Sequence, residues 1–330
     1  MAAAVSNRLN YLSMAWTRGG TGAIQRGYRL AVGADYLDIL TQATGFVRLR
    51  RSSEKSRMQT RFNSEILDAI RAADARGATR AEMRELYIWR NALDIDLDCP
   101  VYRIAEYAHV VADIESGCYT SNRIDKKVWG DKSENPLLNR PIDDLLTGDR
   151  IWFDGVVADV FGSSWSTACS DDGPEWRIFT RNQPGVRMHS TARKLLDASM
   201  SPCNRFAMNQ HFVGAMQYAD AAVIEDFFSD PLWEKHLDDQ GHGITSSFLR
   251  LSDDLAYERE VRLLYHHSSD LWARRAVQVR AGLASIPFAW AKALDRLVVG
   301  AGVTDEEVDT ITERLRAVGS QCPVERQSMV

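Results

Sequence analysis

Apolar positions recur at helical spacing near the start of the chain and again at its end. Ile66, Leu67, Ile70 and Ala73 predict one helix, which Gly77 closes. Thr79-Arg80-Ala81-Glu82 restarts the pattern as a capping box, its hydroxyl and carboxylate satisfying the opening amides. Met83, Leu86, Ile88, Trp89 and Leu93 then supply a buried stripe. At Asp94, Asp96 and Asp98 the acids alternate with Ile95 and Leu97 until Pro100 punctuates the chain. A solvated linker fits this triplet better than a cation loop, which would need a glycine and a closing glutamate. The reading is therefore a helical accessory region over residues 1–100 and a second domain over residues 101–330.

Beyond Pro100 the period shifts between two and 3.6. Strands are predicted at 101–104, 152–160, 186–189, 212–217 and 257–265, with helix-spaced Ala108, Val111, Ala112 and Ile114 ending at Gly117. The last helix is the best defined. Thr304 and Glu307 form its capping box, Val308, Ile311, Leu315 and Val318 its buried face, and Gly319 its stop. Helices and strands intermixed with short links predict an α+β fold around a split, mixed or antiparallel sheet.

Composition narrows the class without naming a chemistry. The 330 residues are 45% hydrophobic and 26% charged, which excludes a disordered or fibrous chain. No run of about 18 apolar residues occurs, so no membrane span is expected. Five scattered cysteines without a C-x-x-C pair suggest reduced thiols and a cytoplasmic setting. The net charge of −5 divides unevenly: residues 1–100 carry 15 basic against 11 acidic side chains, and the remainder 25 against 34. The basic excess gathers at Arg48, Arg50, Arg51, Lys55, Arg57 and Arg61, where a solvated face is preferred to a nucleic-acid arm because stacking aromatics are sparse. Arg18-Gly19-Gly20-Thr21-Gly22 reads as a turn, since it lacks the ending of a phosphate loop. His266 and His267 would point to opposite faces of a strand, and Asp238, Asp239 and His242 fall in a polar loop, so no metal is expected.

Two stretches carry denser chemistry. If 257–265 is a strand, Glu258, Glu260 and Arg262 share one face, two carboxylates beside a guanidinium. Fixed carboxylates suit a reaction that builds positive charge on a sugar carbon. On pattern alone the plainer reading, cross-strand ion pairs on a solvated face, is preferred. The second stretch is Ser163-Ser164-Trp165-Ser166-Thr167, followed by Glu175-Trp176-Arg177-Ile178-Phe179. Small hydroxyl residues around a tryptophan can line a narrow pocket, and equally the tryptophans can be core.

These motifs, in order with Val101-Tyr102-Arg103-Ile104, Trp129-Gly130-Asp131-Lys132-Ser133-Glu134-Asn135-Pro136 and Gly185-Val186-Arg187-Met188, resemble a bacterial family numbered 2971 among domains of unknown function. The resemblance runs over some 230 residues, from about Val101 to Ser328. Ser164 stands where that family commonly has cysteine, and Asp172-Gly173-Pro174-Glu175-Trp176 where it has Ser-Asp-Ala-Met-Trp. The family in turn resembles the ADP-ribosyltransferase fold in its Arg-Ser-Glu form. That resemblance implies Arg103 as the grip on NAD phosphate, Ser166 as a buttress, and Glu258-Arg259-Glu260 as the catalytic strand. Glu260 would stabilise the ribosyl cation and Glu258 would orient or deprotonate the acceptor, with Trp165 or Tyr102 packed on nicotinamide. NAD would be the substrate, and the acceptor a protein, a nucleic acid or water. A bacterial toxin or phage-defence effector fits such a domain, and residues 1–100 would recognise the acceptor or a regulatory partner. The alternative is a non-catalytic module that holds a nucleotide or a protein in the same cleft.

Overall fold

The computed structural model describes residues 64–125, 129, 134–143, 147–169, 175–200, 206–229, 241–268 and 271–327. The basic run at 48–61 and the glycine-rich turn at 18–22 lie outside the described residues.

Two helices open the described chain, α1 (Ser64–Ala75) and α2 (Arg80–Asn91). The break between them is Gly77 at φ 73°, and Thr79 and Glu82 cap α2 reciprocally, as their sequence predicts. The strands then follow in order: β1 (Ala92–Leu93), β2 (Pro100–Glu106), β3 (Cys118–Arg123), β4 (Pro141–Asp143), β5 (Arg150–Trp152), β6 (Val160–Ser166), β7 (Gly185–Thr191) and β8 (His211–Ala215). After them come β9 (Gln217–Ala219), β10 (Arg250–Ser252), β11 (Glu260–His266), β12 (Gln278–Arg280), β13 (Leu283–Pro287), β14 (Arg296–Val299) and β15 (Val324–Arg326). Four more helices of eight residues or longer are interspersed: α3 (Tyr107–Ser116), α4 (Ala192–Ser199), α5 (Ala221–Ser229) and α6 (Asp305–Ala317).

Eleven strands form one mixed sheet, whose main path runs β1-β8-β11-β6-β2-β7-β14-β15. The pairs at its two ends, β1 with β8 and β14 with β15, are parallel, and the interior pairs are antiparallel. The sheet parts in the middle. β2 and β6 share a single bridge, Tyr102 with Ser166. Beyond it β2 stays with β7 over seven positions, while β6 turns to β3 through Asn122 and Arg123.

Each face has its own core. On one, Trp165, Val261, Leu263 and Met188 pack with Leu86, Tyr87 and Ile88 of α2 and with Leu195 and Leu196 of α4. On the other, Phe212 and Leu264 pack with Ile124, Phe248 and Phe228. Helices α1 and α2 therefore belong to the same packed core as the sheet, and β1 joins that sheet directly.

Two predicted strands differ from expectation. The segment 257–265 is strand only from Glu260 onward, because Asp253–Glu258 forms a 3-10 turn and Arg259 adopts φ 45°, which breaks the alternation. The segment 152–160 is divided between the end of β5, a helical turn at Asp154–Val157 and the start of β6.

Two histidines are buried on β8 and β11. His211 stacks on Tyr265 with ring centroids 4.9 Å apart, its Nε2 without a partner, and His266 meets the Thr245 hydroxyl at 3.0 Å. Burial pushes both imidazoles down from 6.5, to about 3 and about 4. A depressed value means that the unfolded chain protonates first as the pH falls. The contribution of these two histidines to stability should therefore be constant well above pH 6.5 and drop steadily from there toward pH 4. His211→Phe keeps the stacked ring and removes one titrating group, so urea denaturation across this range should give a shallower slope. An unchanged slope would place the acid sensitivity elsewhere.

Candidate functional site

In an antiparallel ladder, residues directly opposite one another project to the same face. The registers His189 with Tyr102, Tyr102 with Ser166, and Ser166 with Glu260 therefore draw one row across four strands. The row beside it contains Arg187, Ile104, Ser164 and Arg262. Between the hydrophobic layers the sheet thus carries a polar band of Tyr102, Ser166, Glu260, Arg262, His189 and Arg187. At about 4.8 Å per strand, Tyr102 and Glu260 stand ~10 Å apart on either side of Ser166.

Glu260 opens β11 and is held by both its side chain and its backbone. Arg262 grips it in a fork, Nε and Nη2 donating to the two carboxylate oxygens at 3.0 Å each. The same Nη2 also donates to Glu134, and Nη1 donates to the Phe248 carbonyl at 2.8 Å. The Trp129 ring covers the guanidinium, 4.8 Å from its centroid. The Tyr218 hydroxyl accepts from the Glu260 backbone N–H at 2.8 Å. Arg262 is wholly buried; burial opposes its charge, but the carboxylates of Glu260 and Glu134 more than offset this and raise it above its ordinary value.

Ser166 works as a brace at the end of β6. Its hydroxyl donates to the Glu258 carbonyl at 2.8 Å and accepts from the Ala168 N–H at 3.0 Å. Glu258 is on the 3-10 turn at the rim, off the strand, and not in line with Glu260. Partial burial, then the nearby Glu260 charge, pushes its carboxyl up from the usual range, so it holds its proton more readily than a free glutamate.

Arg103 and Trp165 take the other face. Trp165 is core, 2% exposed. Arg103 is half-buried in the crotch where β2 and β6 part, its Nη1 3.5 Å from the Ser164 carbonyl and its guanidinium 5.6 Å from the Tyr119 ring centroid. The structure thus brings Tyr102, Ser166 and Glu260 onto one face, with Glu258 at its edge. Arg103 reaches the same point of the sheet from behind. A strict alternation explains this: neighbours in a strand cannot share a face, so Tyr102 and Arg103 are divided.

Two residues of the band, and Glu134 beside it, had no assigned role. His189 sets its ring edge-on to Tyr102 at 4.8 Å, and Arg187 donates to His189 Nε2 at 3.1 Å. The signal was present, since Arg187 and His189 set polar side chains at period two along β7, both of them buried. Glu134 comes from a distant loop and carried no such signal. Among the described residues no group of histidine, cysteine or acidic side chains could hold a metal ion. Among them also, no helix is long and apolar enough to cross a membrane.

No family model matches the chain, including that of family 2971, and no curated protein matches it. Solved structures of the Thermus sp. 2.9 protein DarT, one with ADP-ribosylated single-stranded DNA and one with NAD+, match at 11% identity. Each match has a TM-score of 0.32 and covers 70–71% of this chain and 96% of the other.

Proposed function

We propose that the protein consumes NAD and transfers its ADP-ribose to a macromolecule, protein or nucleic acid, or to water. The observation that supports this reading is the meeting of three strands at one point. Glu260, Ser166 and the parting that holds Arg103 lie side by side, and an extended ligand laid across the parting would meet all three. The bond from ribose C1′ to the nicotinamide nitrogen breaks with its electron pair leaving on nicotinamide. Glu260, fixed by Arg262, faces the resulting cation at no reorganisation cost. The acceptor then bonds to C1′ and gives its proton to Glu258 once that carboxyl is ionised. Tyr102 is the ring on the Glu260 face and would pack on nicotinamide. Arg103 would grip phosphate that enters the parting.

One observation favours a binding module instead. Glu260 is only 4% exposed and already paired with Arg262, as a purely structural carboxylate would be. The two readings separate in one assay. Pure protein with NAD, alone and with nucleic acid or lysate protein, should release nicotinamide, and Glu260→Gln should slow release on the order of 10²- to 10³-fold with NAD binding retained. Release that survives the substitution removes Glu260 from the mechanism. NAD binding without turnover under every condition selects the binding module.

A further inference from the structure

Arg262 stands between two carboxylates, and the second belongs to a loop remote in sequence. Trp129 and Glu134 both reach Arg262 on β11, and their positions are fixed by separate anchors. The Trp129 indole N–H donates to the Arg123 carbonyl at 3.1 Å. The amide of Asn135 donates to the carbonyls of Ile124 and Val157, both at 3.2 Å. Glu134 is itself buried, 6% exposed, and shares the Nη2 of Arg262 with Glu260. A guanidinium given wholly to Glu260 would cancel most of its charge at short range. Divided between two acids, it holds Glu260 in place without quenching it.

We propose that Glu134 is an electrostatic positioning residue for the Glu260 site: by competing for Arg262 it leaves Glu260 enough negative charge to prefer a cationic ligand ring over a neutral one. The inference rests on the NAD-consuming reading for its ligand, since the nicotinamide ring is cationic in NAD+ and neutral in NADH. It does not rest on that reading for its effect on Glu260. The charged and titratable groups around Glu260 are Arg262 on its own strand, Glu134 on the loop, Glu258 on the turn and Tyr218 on β9.

The test compares wild type with Glu134→Gln, which keeps an oxygen for Arg262 and removes one charge. Two quantities are read: the affinities for NAD+ and NADH, and the titration of Glu260 followed by carbon-13 labelling of glutamate side chains. Glu134→Gln should lower the preference for NAD+ over NADH on the order of tenfold and shift the Glu260 midpoint to lower pH. Glu134→Asp, which keeps the charge but withdraws it by one methylene, should move both in the same direction by less; it carries the comparison if the glutamine variant does not fold. A purely structural role would weaken both dinucleotides by the same factor, and that result, or an unmoved Glu260 midpoint, overturns the proposal. If wild type binds neither dinucleotide, the NAD reading falls, and the Glu260 titration alone still decides whether Glu134 acts on it.

Discussion

Arg262→Leu should destabilise the protein by about 3–5 kcal/mol, the cost of leaving buried charge unpaired. The substitution removes the guanidinium that Glu260 and Glu134 share and sets two buried carboxylates against each other. Their like charges and the lost solvation would raise both above the free carboxylate range near 4.3. A raised carboxylate favours the folded chain only while it is protonated. The deficit of Arg262→Leu should therefore be largest at neutral pH and above, and shrink as the pH falls toward the free carboxylate range near 4.3. Urea denaturation at several pH values measures this directly. Neutralising the whole group, as Glu134→Gln, Glu260→Gln and Arg262→Met together, should recover most of the loss, because a buried ion cluster adds little net stability over packed neutral side chains. A single Arg262→Leu variant of unchanged stability would mean that water already reaches these carboxylates.

Removing residues 1–99 should abolish folding of the remainder. Ile66, Ile70, Met83, Leu86, Tyr87, Ile88, Leu93 and Leu97 are all buried in the two cores that cover the sheet. At roughly 1.5–3 kcal/mol for each large buried side chain, their loss exceeds the ~5–15 kcal/mol that holds a typical domain together. Two further ties would go with them. Arg84 pairs with Asp197 of α4, and the buried Asn91 amide donates to carbonyls of Met208 and His211. The truncated chain should lack near-ultraviolet dichroism and a cooperative melt. A cooperatively folded product would show that α1 and α2 are an appendage. Removal of residues 1–60 keeps every residue named here and is the matched control.

Local rules carried the helices. Capping boxes at Thr79 and Thr304 and the left-handed glycines 77, 117 and 319 are short-range devices, written in three or four adjacent residues. Period-two patterns likewise marked β2, β7 and β11. The pattern failed where a single residue changes the backbone: Arg259 in the left-handed region ends the alternation one residue before Glu260, so Glu258 leaves the face that strict alternation gave it. Alternation also decides against a shared face for Tyr102 and Arg103, a consequence contained in their adjacency. The partners of Glu260 were harder to see. Arg262 is two residues away on the same strand, but Glu134 is 126 residues distant and Trp129 farther still, so only the fold brings them to the guanidinium. The packing of α2 on the sheet was hidden for the same reason, since an acidic, proline-terminated link resembles a boundary whether or not the helices beyond it dock.

The two short strands that close the main sheet have a protective consequence for the chain in concentrated solution. β1 offers two residues at one end and β15 three at the other, and each lies along a longer strand, β8 or β14, whose backbone would otherwise present an open row of donors and acceptors. Such rows recruit strands from other molecules. A chain that ends at Val299 would uncover the β14 row, and self-association into β-rich aggregates is the outcome to watch for.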